Sequence, residues 1–145
     1  MSQSNLLLDT CVLSEFAKRQ PDASVVSWLN AQLEDRLYIS VITIGELKHG
    51  VERLPPSARR ERLDRWLAYD ILERFNGRIV TVDTVIMLRW GELRAQLEAK
   101  GRPMQPIDSL IAATALAHDL DLVTRNIDDF AHAGVQIINP WALQS

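Results

Sequence analysis

Several things are scarce in this chain, and each scarcity removes a class of function. Cysteine is nearly absent: Cys11 stands alone among 145 residues, so no internal disulfide can form and the sequence suits a reducing compartment. One thiol also supplies no CxxC pair, and the three histidines, His49, His118 and His132, show no paired zinc spacing. No apolar run approaches the roughly 20 residues that a spanning helix needs, and no basic stretch followed by an apolar one marks a secretory signal. A cytoplasmic protein without membrane contact is therefore expected. Glycine-rich phosphate loops of the G-x-G-x-x-G or G-x-x-x-x-G-K-S/T type are missing. There is no basic excess either, with 16 Lys and Arg against 19 Asp and Glu. That balance argues against coating nucleic acid by bulk charge. It leaves room for an enzyme that reaches nucleic acid through an acidic, cation-filled pocket, because a bound divalent ion inverts the local sign.

What is present is an ordinary globular mix, 47% hydrophobic and 24% charged, enough for one core without staples. One domain over residues 1–145 is expected. Short apolar strands alternate with helical stretches. Strands are predicted over Asn5–Asp9, Leu37–Ser40, Arg78–Val82, Leu120–Thr124 and Val135–Ile138. Between them, Val12–Lys18 reads as a helix, and Pro21-Asp22 opens a second with Val25, Val26, Leu29 and Leu33 at helical spacing. Val41–Leu54 is a third, ended by Pro55-Pro56-Ser57. The next carries Leu63, Trp66, Leu67, Ile71 and Phe75 on one face and stops at Asn76-Gly77. Asp83 can cap a long helix bearing Val85, Leu88, Leu93 and Leu97, which Gly101 and Pro103 stop. Pro106 opens the helix Ile107–His118. This alternation predicts an α/β fold, a mainly parallel central sheet flanked by helices.

The first strand poses the functional question. Leu6-Leu7-Leu8 runs directly into Asp9, and a lone charge at the end of a buried strand is expensive. In open parallel sheets, ligands sit beyond the carboxyl ends of the strands. The usual crossover handedness brings three more acids to that edge: Glu46 in VITIGELKHG, Asp108 in QPIDSLIAATALAH, and Asp129 after the fourth strand. Each has an ordinary reading alone. Asp9 can cap a helix, Asp108 suits a helix dipole, Glu46 can face water, and Asp128-Asp129 can be a turn. Gly45 and Gly50 beside Glu46 suggest close packing or access. Together the four would repel one another, and a hard divalent cation such as Mg²⁺ or Mn²⁺ resolves the conflict. An aspartyl-phosphate chemistry fits worse, since the position two after Asp9 is Cys11. No Ser or Cys nucleophile has a recognisable base.

At these residues the sequence resembles the PIN domain family, and within it the VapC-like toxins of type II toxin–antitoxin pairs, close to the FitB branch. LLLDTCVLSE is similar to the family's first acidic motif and ISVITIGELKHGV to its second. PIDSLIAATALAHDLDLVTRNIDDF is similar to the third and fourth joined. The resemblance implies a PIN-like fold and a Mg²⁺- or Mn²⁺-dependent endoribonuclease that cleaves cellular RNA and arrests growth or translation. It places the catalytic and metal-binding acids at Asp9, Glu46, Asp108 and Asp129, the register before Phe130 favouring Asp129 over Asp128. Asp9 and Asp108 would be the principal ligands. Thr10, Thr124 and Asn126 match the supporting polar positions.

RNA must still reach an acidic site. Arg59, Arg60, Arg62, Arg65, Arg89, Arg94, Lys100, Arg102 and Arg125 are candidates to line the approach. The first four also fit the solvated side of an amphipathic helix, with Glu61 and Arg65 at i,i+4 spacing. Arg125 is the preferred substrate contact because it lies inside the loop that carries the last acid. The resemblance further implies a homodimer and a small VapB-like antitoxin that lays a segment across the groove. DNA would be met only through that antitoxin. Trp28, Trp66, Trp90 and Met87 are candidates for partner surfaces, with burial in the core the stronger expectation for the tryptophans. Two other readings stay open: a PIN-fold module acting mainly by binding, and a nuclease acting on DNA.

Overall fold

The computed structural model describes residues 4–142. Five strands form one parallel sheet in the order β3-β2-β1-β4-β5: β1 Leu6–Leu8, β2 Leu37–Ser40, β3 Ile79–Val80, β4 Asp121–Val123 and β5 Ile137–Ile138. The neighbouring strands β1 and β4 run in register, Leu6 beside Asp121 and Leu8 beside Val123. Side chains alternate across the sheet, and β1 is buried on both faces, which is why it is leucine throughout. Leu6 and Leu8 join one core cluster with Leu37, Ile39 and Val123. Leu7 joins the other with Leu122.

Each face is covered by its own helices. On the first lie α1 (Thr10–Phe16), α2 (Ala23–Asn30), α3 (Val41–Glu52) and the run that starts with α4 (Ala58–Arg65). That run continues as a π-helical segment, Trp66–Ile71, and ends in α5 (Leu72–Arg74). The wider turn has a sequence cause. Leu67, Ile71 and Phe75 are all buried and recur every four residues, whereas an α-helix would rotate such a row off the sheet by about 40° per step. A π turn holds the row in place. The second face carries α6 (Thr84–Ala99), α7 (Pro106–Ala117) and the short α8 (Ile127–Phe130). Among the described residues, no helix is long and apolar enough to cross a membrane.

Most elements appear where the sequence places them; β2 keeps its expected span and the other four strands come out shorter. Two apolar assignments need correction. Leu33 is not on α2, which ends at Asn30; it is 67% exposed and precedes a 3-10 turn, Glu34–Arg36. On α6, Val85 and Leu88 face outward, and the inward row is Ile86, Leu93 and Leu97. Counting apolar residues at helical spacing does not distinguish these rows; only the position of α7, packed along one side of α6, decides which is covered. Trp28, Trp66, Trp90 and Trp141 are half-buried against the core clusters. Met87 remains on the surface.

Helix ends follow the local chemistry. Asp83 caps α6 by accepting the Ile86 N–H at 3.0 Å. At the other end Gly101 has φ +68, Gly101 N–H donates to the Glu98 carbonyl and Arg102 N–H to that of Leu97. This is a Schellman closure that only a left-handed residue allows. Leu93→Ala should therefore cost about 2–5 kcal/mol in chemical denaturation, whereas Leu88→Ala, five residues away on the same helix, should stay within about 0.5 kcal/mol.

Candidate active site

Asp9 is both a helix start and a site residue. Its backbone is extended, its N–H completes the β1–β4 ladder by donating to the Val123 carbonyl, and α1 begins at the next residue. One carboxylate oxygen accepts the Thr10 N–H at 2.8 Å and the other the Thr124 hydroxyl at 2.8 Å. Thr124 is fully buried, and its oxygen in turn accepts the Asn126 N–H at 3.0 Å. The ends of β1 and β4 are thus tied through side chains at the carboxyl edge of the sheet. Burial pushes the Asp9 carboxyl above its ordinary value, the hydrogen bonds from Thr124, Thr10 and Cys11 oppose this, and the Asp129 charge adds to it.

Glu46 arrives from β2. Ser40 ends that strand and caps α3 by accepting the Ile42 N–H, and Glu46 lies farther along the helix. There the Thr10 hydroxyl donates to Glu46 Oε1 at 2.5 Å and lies 3.2 Å from the buried Thr43 hydroxyl. Nothing stands within 4 Å of where a Cβ would sit on Gly45 or Gly50. Close packing is therefore not their reason, and Gly50 instead lines an open groove beside Glu46.

Asp108 occupies the first turn of α7, behind Pro106. Its carboxyl is raised to about 6, first by burial and then by the charges of Asp129, Asp9 and Glu46. The acids from four segments therefore feel one another. Asp129, rather than its neighbour Asp128, is the one whose charge acts on both Asp9 and Asp108. Both residues border a depression of about 430 Å³ shared with Asp108, Arg102 and His132.

The donor set is all oxygen and strongly negative, which suits a hard cation and not zinc. Among the described residues, no three His, Cys, Asp or Glu side chains are placed to hold an ion outright. An ion here would take one or two carboxylates directly and keep water in the rest of its shell, as Mg²⁺ usually does.

The basic candidates divide by position. Arg59 and Arg62 line the groove that ends at Thr10 and Glu46, together with Lys18 and Arg19. Arg102 borders the depression holding Asp108 and Asp129, and Arg125 shares another with Asp128 and Asp129. Arg60 is instead paired with Glu52, Arg89 with Glu92 and Arg94 with Glu98. Among the described residues, Glu61 and Arg65 form no ion pair despite their spacing. Two residues near the site were given no role by their sequence context. Cys11 Sγ accepts the Arg125 N–H at 3.4 Å and lies 3.6 Å from the Thr124 hydroxyl. Glu15, in the same motif as Asp9, is buried. The signal for it was the apolar company of Val12, Leu13 and Phe16 on so short a helix.

A parallel sheet with clustered acids at its carboxyl edge defines an α/β protein of the PIN type, and the family model described as PIN domain matches residues 6–136. The chain belongs to the PIN domain family. Among its relatives is VapC ribonuclease Y4jK of Sinorhizobium fredii, 38% identical over 136 residues that cover 94% of this chain and 97% of that protein. Toxin FitB of Neisseria gonorrhoeae is 36% identical, covering 94% and 98%. The crystal structure of FitAcB from Neisseria gonorrhoeae superposes with a TM-score of 0.90 at 36% identity, over 95% of this chain and 99% of that one. These place the chain among the VapC- and FitB-like toxins.

Because the Asp108 carboxyl is raised in the folded protein, its protonated form stabilises the fold below the unfolded value near 3.8, and that stability is lost as pH rises through about 6. Asp108→Asn should accordingly raise Tm at pH 7 to 8 in EDTA. The gain should vanish near pH 4, measured by thermal unfolding across that range.

Proposed function

We propose that this protein is the toxin of a type II toxin–antitoxin pair and acts as a Mg²⁺- or Mn²⁺-dependent endoribonuclease. The observation that carries the reading is the meeting of Asp9, Glu46, Asp108 and Asp129 at one sheet edge, where burial and then the charges of the other three raise the Asp108 carboxyl to about 6. That arrangement costs stability and is explained by a cation and a phosphate that share the site. The relatives' names supply the substrate class, since one of them is a VapC ribonuclease.

In this reading Asp9 and Asp108 are the principal metal ligands, and Glu46 and Asp129 complete the acidic ring. A bound divalent ion supplies charge neutralisation at the scissile phosphate and acidifies the attacking water. The chain's own residues do the rest. Thr124 fixes the Asp9 carboxylate through a buried 2.8 Å hydrogen bond, so that its orientation is set before substrate arrives. The Thr10 hydroxyl holds Glu46 against α1, which leaves the second oxygen of Glu46 for the water or the ion. Asn126 N–H locks the Thr124 hydroxyl in the orientation that donates to Asp9.

The antitoxin fits the groove of about 700 Å³ between α1, α3 and α4. Leu47, Val51, Leu63 and Trp66 make its apolar side, Lys18, Arg19, Arg59 and Arg62 its basic side, and Thr10 and Glu46 its inner end. A segment with apolar and acidic residues would seat there and reach the acids. Any DNA contact would come through that partner. A second copy of the chain is the other expected partner, and Val85, Met87 and Leu88 on α6 are apolar side chains left for it to cover.

The test is a map of new RNA 5′ ends in cells briefly expressing the protein, with growth followed in parallel. Asp9→Asn should keep the fold and lower cleavage on the order of 10²–10³-fold, the usual loss when one group stabilising developing charge is removed. Discrete ends and growth arrest with the unsubstituted protein alone are expected. Equal ends from both would remove the acids from the mechanism.

A further inference from the structure

Glu15 is a buried acid that the proposed reaction does not use. It is 4% exposed. Its Oε2 accepts the Asp22 N–H at 2.9 Å, and its Oε1 accepts from Lys18 Nζ at 3.0 Å and from the Trp141 indole N–H at 3.3 Å. Burial pushes its carboxyl up, but those hydrogen bonds and the Lys18 charge outweigh burial and hold it below the ordinary range. Trp141 is fixed at a second point, its backbone N–H donating to Asn139 Oδ1 at 3.0 Å, and its ring packs against the core of the first face. Over that ring, 5.4 Å from its centre, lies the guanidinium of Arg125.

Arg125 is exposed and borders the same depression as Asp128 and Asp129. An unrestrained arginine there would fold onto one of them. Among the described residues, however, no carboxylate pairs with it. Its backbone N–H donates to Cys11 Sγ, and its guanidinium rests on the indole face instead. Stacking uses the flat face of the guanidinium and leaves the N–H groups around its rim available, the geometry that binds a phosphate in two places.

We propose that Trp141, locked by Glu15, is a positioning residue that holds Arg125 away from the neighbouring acids, and that Arg125 binds an RNA phosphate adjacent to the one cleaved. The assignment rests on the ribonuclease reading and gives that site its substrate anchor. It joins the start of the chain, in α1, and the segment after β5 to the loop between β4 and α8.

The experiment uses a fluorogenic oligoribonucleotide copied from a cleavage site mapped in cells, with kcat and KM measured from about 50 to 200 mM salt. Arg125→Ala and Trp141→Ala should each raise KM about tenfold, as loss of a charge-assisted hydrogen bond does, with kcat within about twofold. Each should flatten the salt dependence by about 0.7 in log–log slope, the value for one phosphate on a single strand. The double variant should be no worse than Arg125→Ala alone, and Trp141→Phe, which keeps a π face, should recover most of the loss. Should Trp141→Ala not fold, Trp141→Leu fills the space without a π face and carries the same expectations. A Trp141 variant that lowers kcat while leaving KM and the salt slope unchanged has only a structural role, and that result overturns the assignment while the ribonuclease reading stands. Effects of Arg125 and Trp141 that add would overturn it too. An unsubstituted protein that leaves the RNA intact in Mg²⁺ and Mn²⁺ overturns both.

Discussion

The hydrogen bond from the Thr124 hydroxyl to the Asp9 carboxylate, 2.8 Å long and shut away from water, is the contact on which the functional end of this protein depends. It spans the residues that immediately follow two neighbouring parallel strands, so it can form only if β1 and β4 are in their observed register. It also partly offsets the cost of carrying a charge into the interior. Without it Asp9 would be a desolvated carboxylate beside other acids, which protonation relieves more cheaply than folding does. The surrounding groups reinforce it: Asn126 N–H turns the Thr124 hydroxyl toward Asp9, and Thr10 N–H takes the other oxygen.

The rest of the site is organised by repulsion. Burial and the charges of Asp129, Asp9 and Glu46 together lift Asp108 to about 6. A fold optimised only for stability would disperse such charges or pair them with arginines. Here the nearby arginines stand apart from the acids. Arg59 and Arg62 line a groove on one side, Arg102 borders the depression on another, and Arg125 is stacked on Trp141. Ion pairs do form elsewhere: Glu34 with Arg74 and Arg78, and Lys48 with Glu52 and Asp64. At the sheet edge, the acids and the arginines around them line the same depressions without pairing.

Much of this was legible in the sequence because it follows local rules. The leucine run of β1, the helix starts at Asp22 and Asp83, and the stops at Gly77 and Gly101 are written in short stretches. The four acids could be brought to one edge by topology alone, since a parallel sheet with right-handed crossovers puts the ends of its strands on the same side. Other features were not legible. The apolar residues of α6 permit more than one inward face, and Val85 and Leu88 fall outside the one adopted. Leu33 continues an apolar row past the point where α2 stops. The π turn at Trp66–Ile71 leaves only a four-residue spacing as its trace.

The sequence by itself determined the alternation of strands and helices, the carboxylates and their order along the chain, and so the chemistry this edge supports. These depend on residue type and spacing, which are properties of the chain. The tertiary structure alone decided which face of each helix is covered, that Glu15 is buried, and that an indole near the end of the described chain lies beneath Arg125. The indole that Glu15 holds is 126 positions away along the chain, and Arg125 meets it only across β5. No local pattern encodes such a meeting, because it is created by how the sheet stacks its strands and not by the segments themselves.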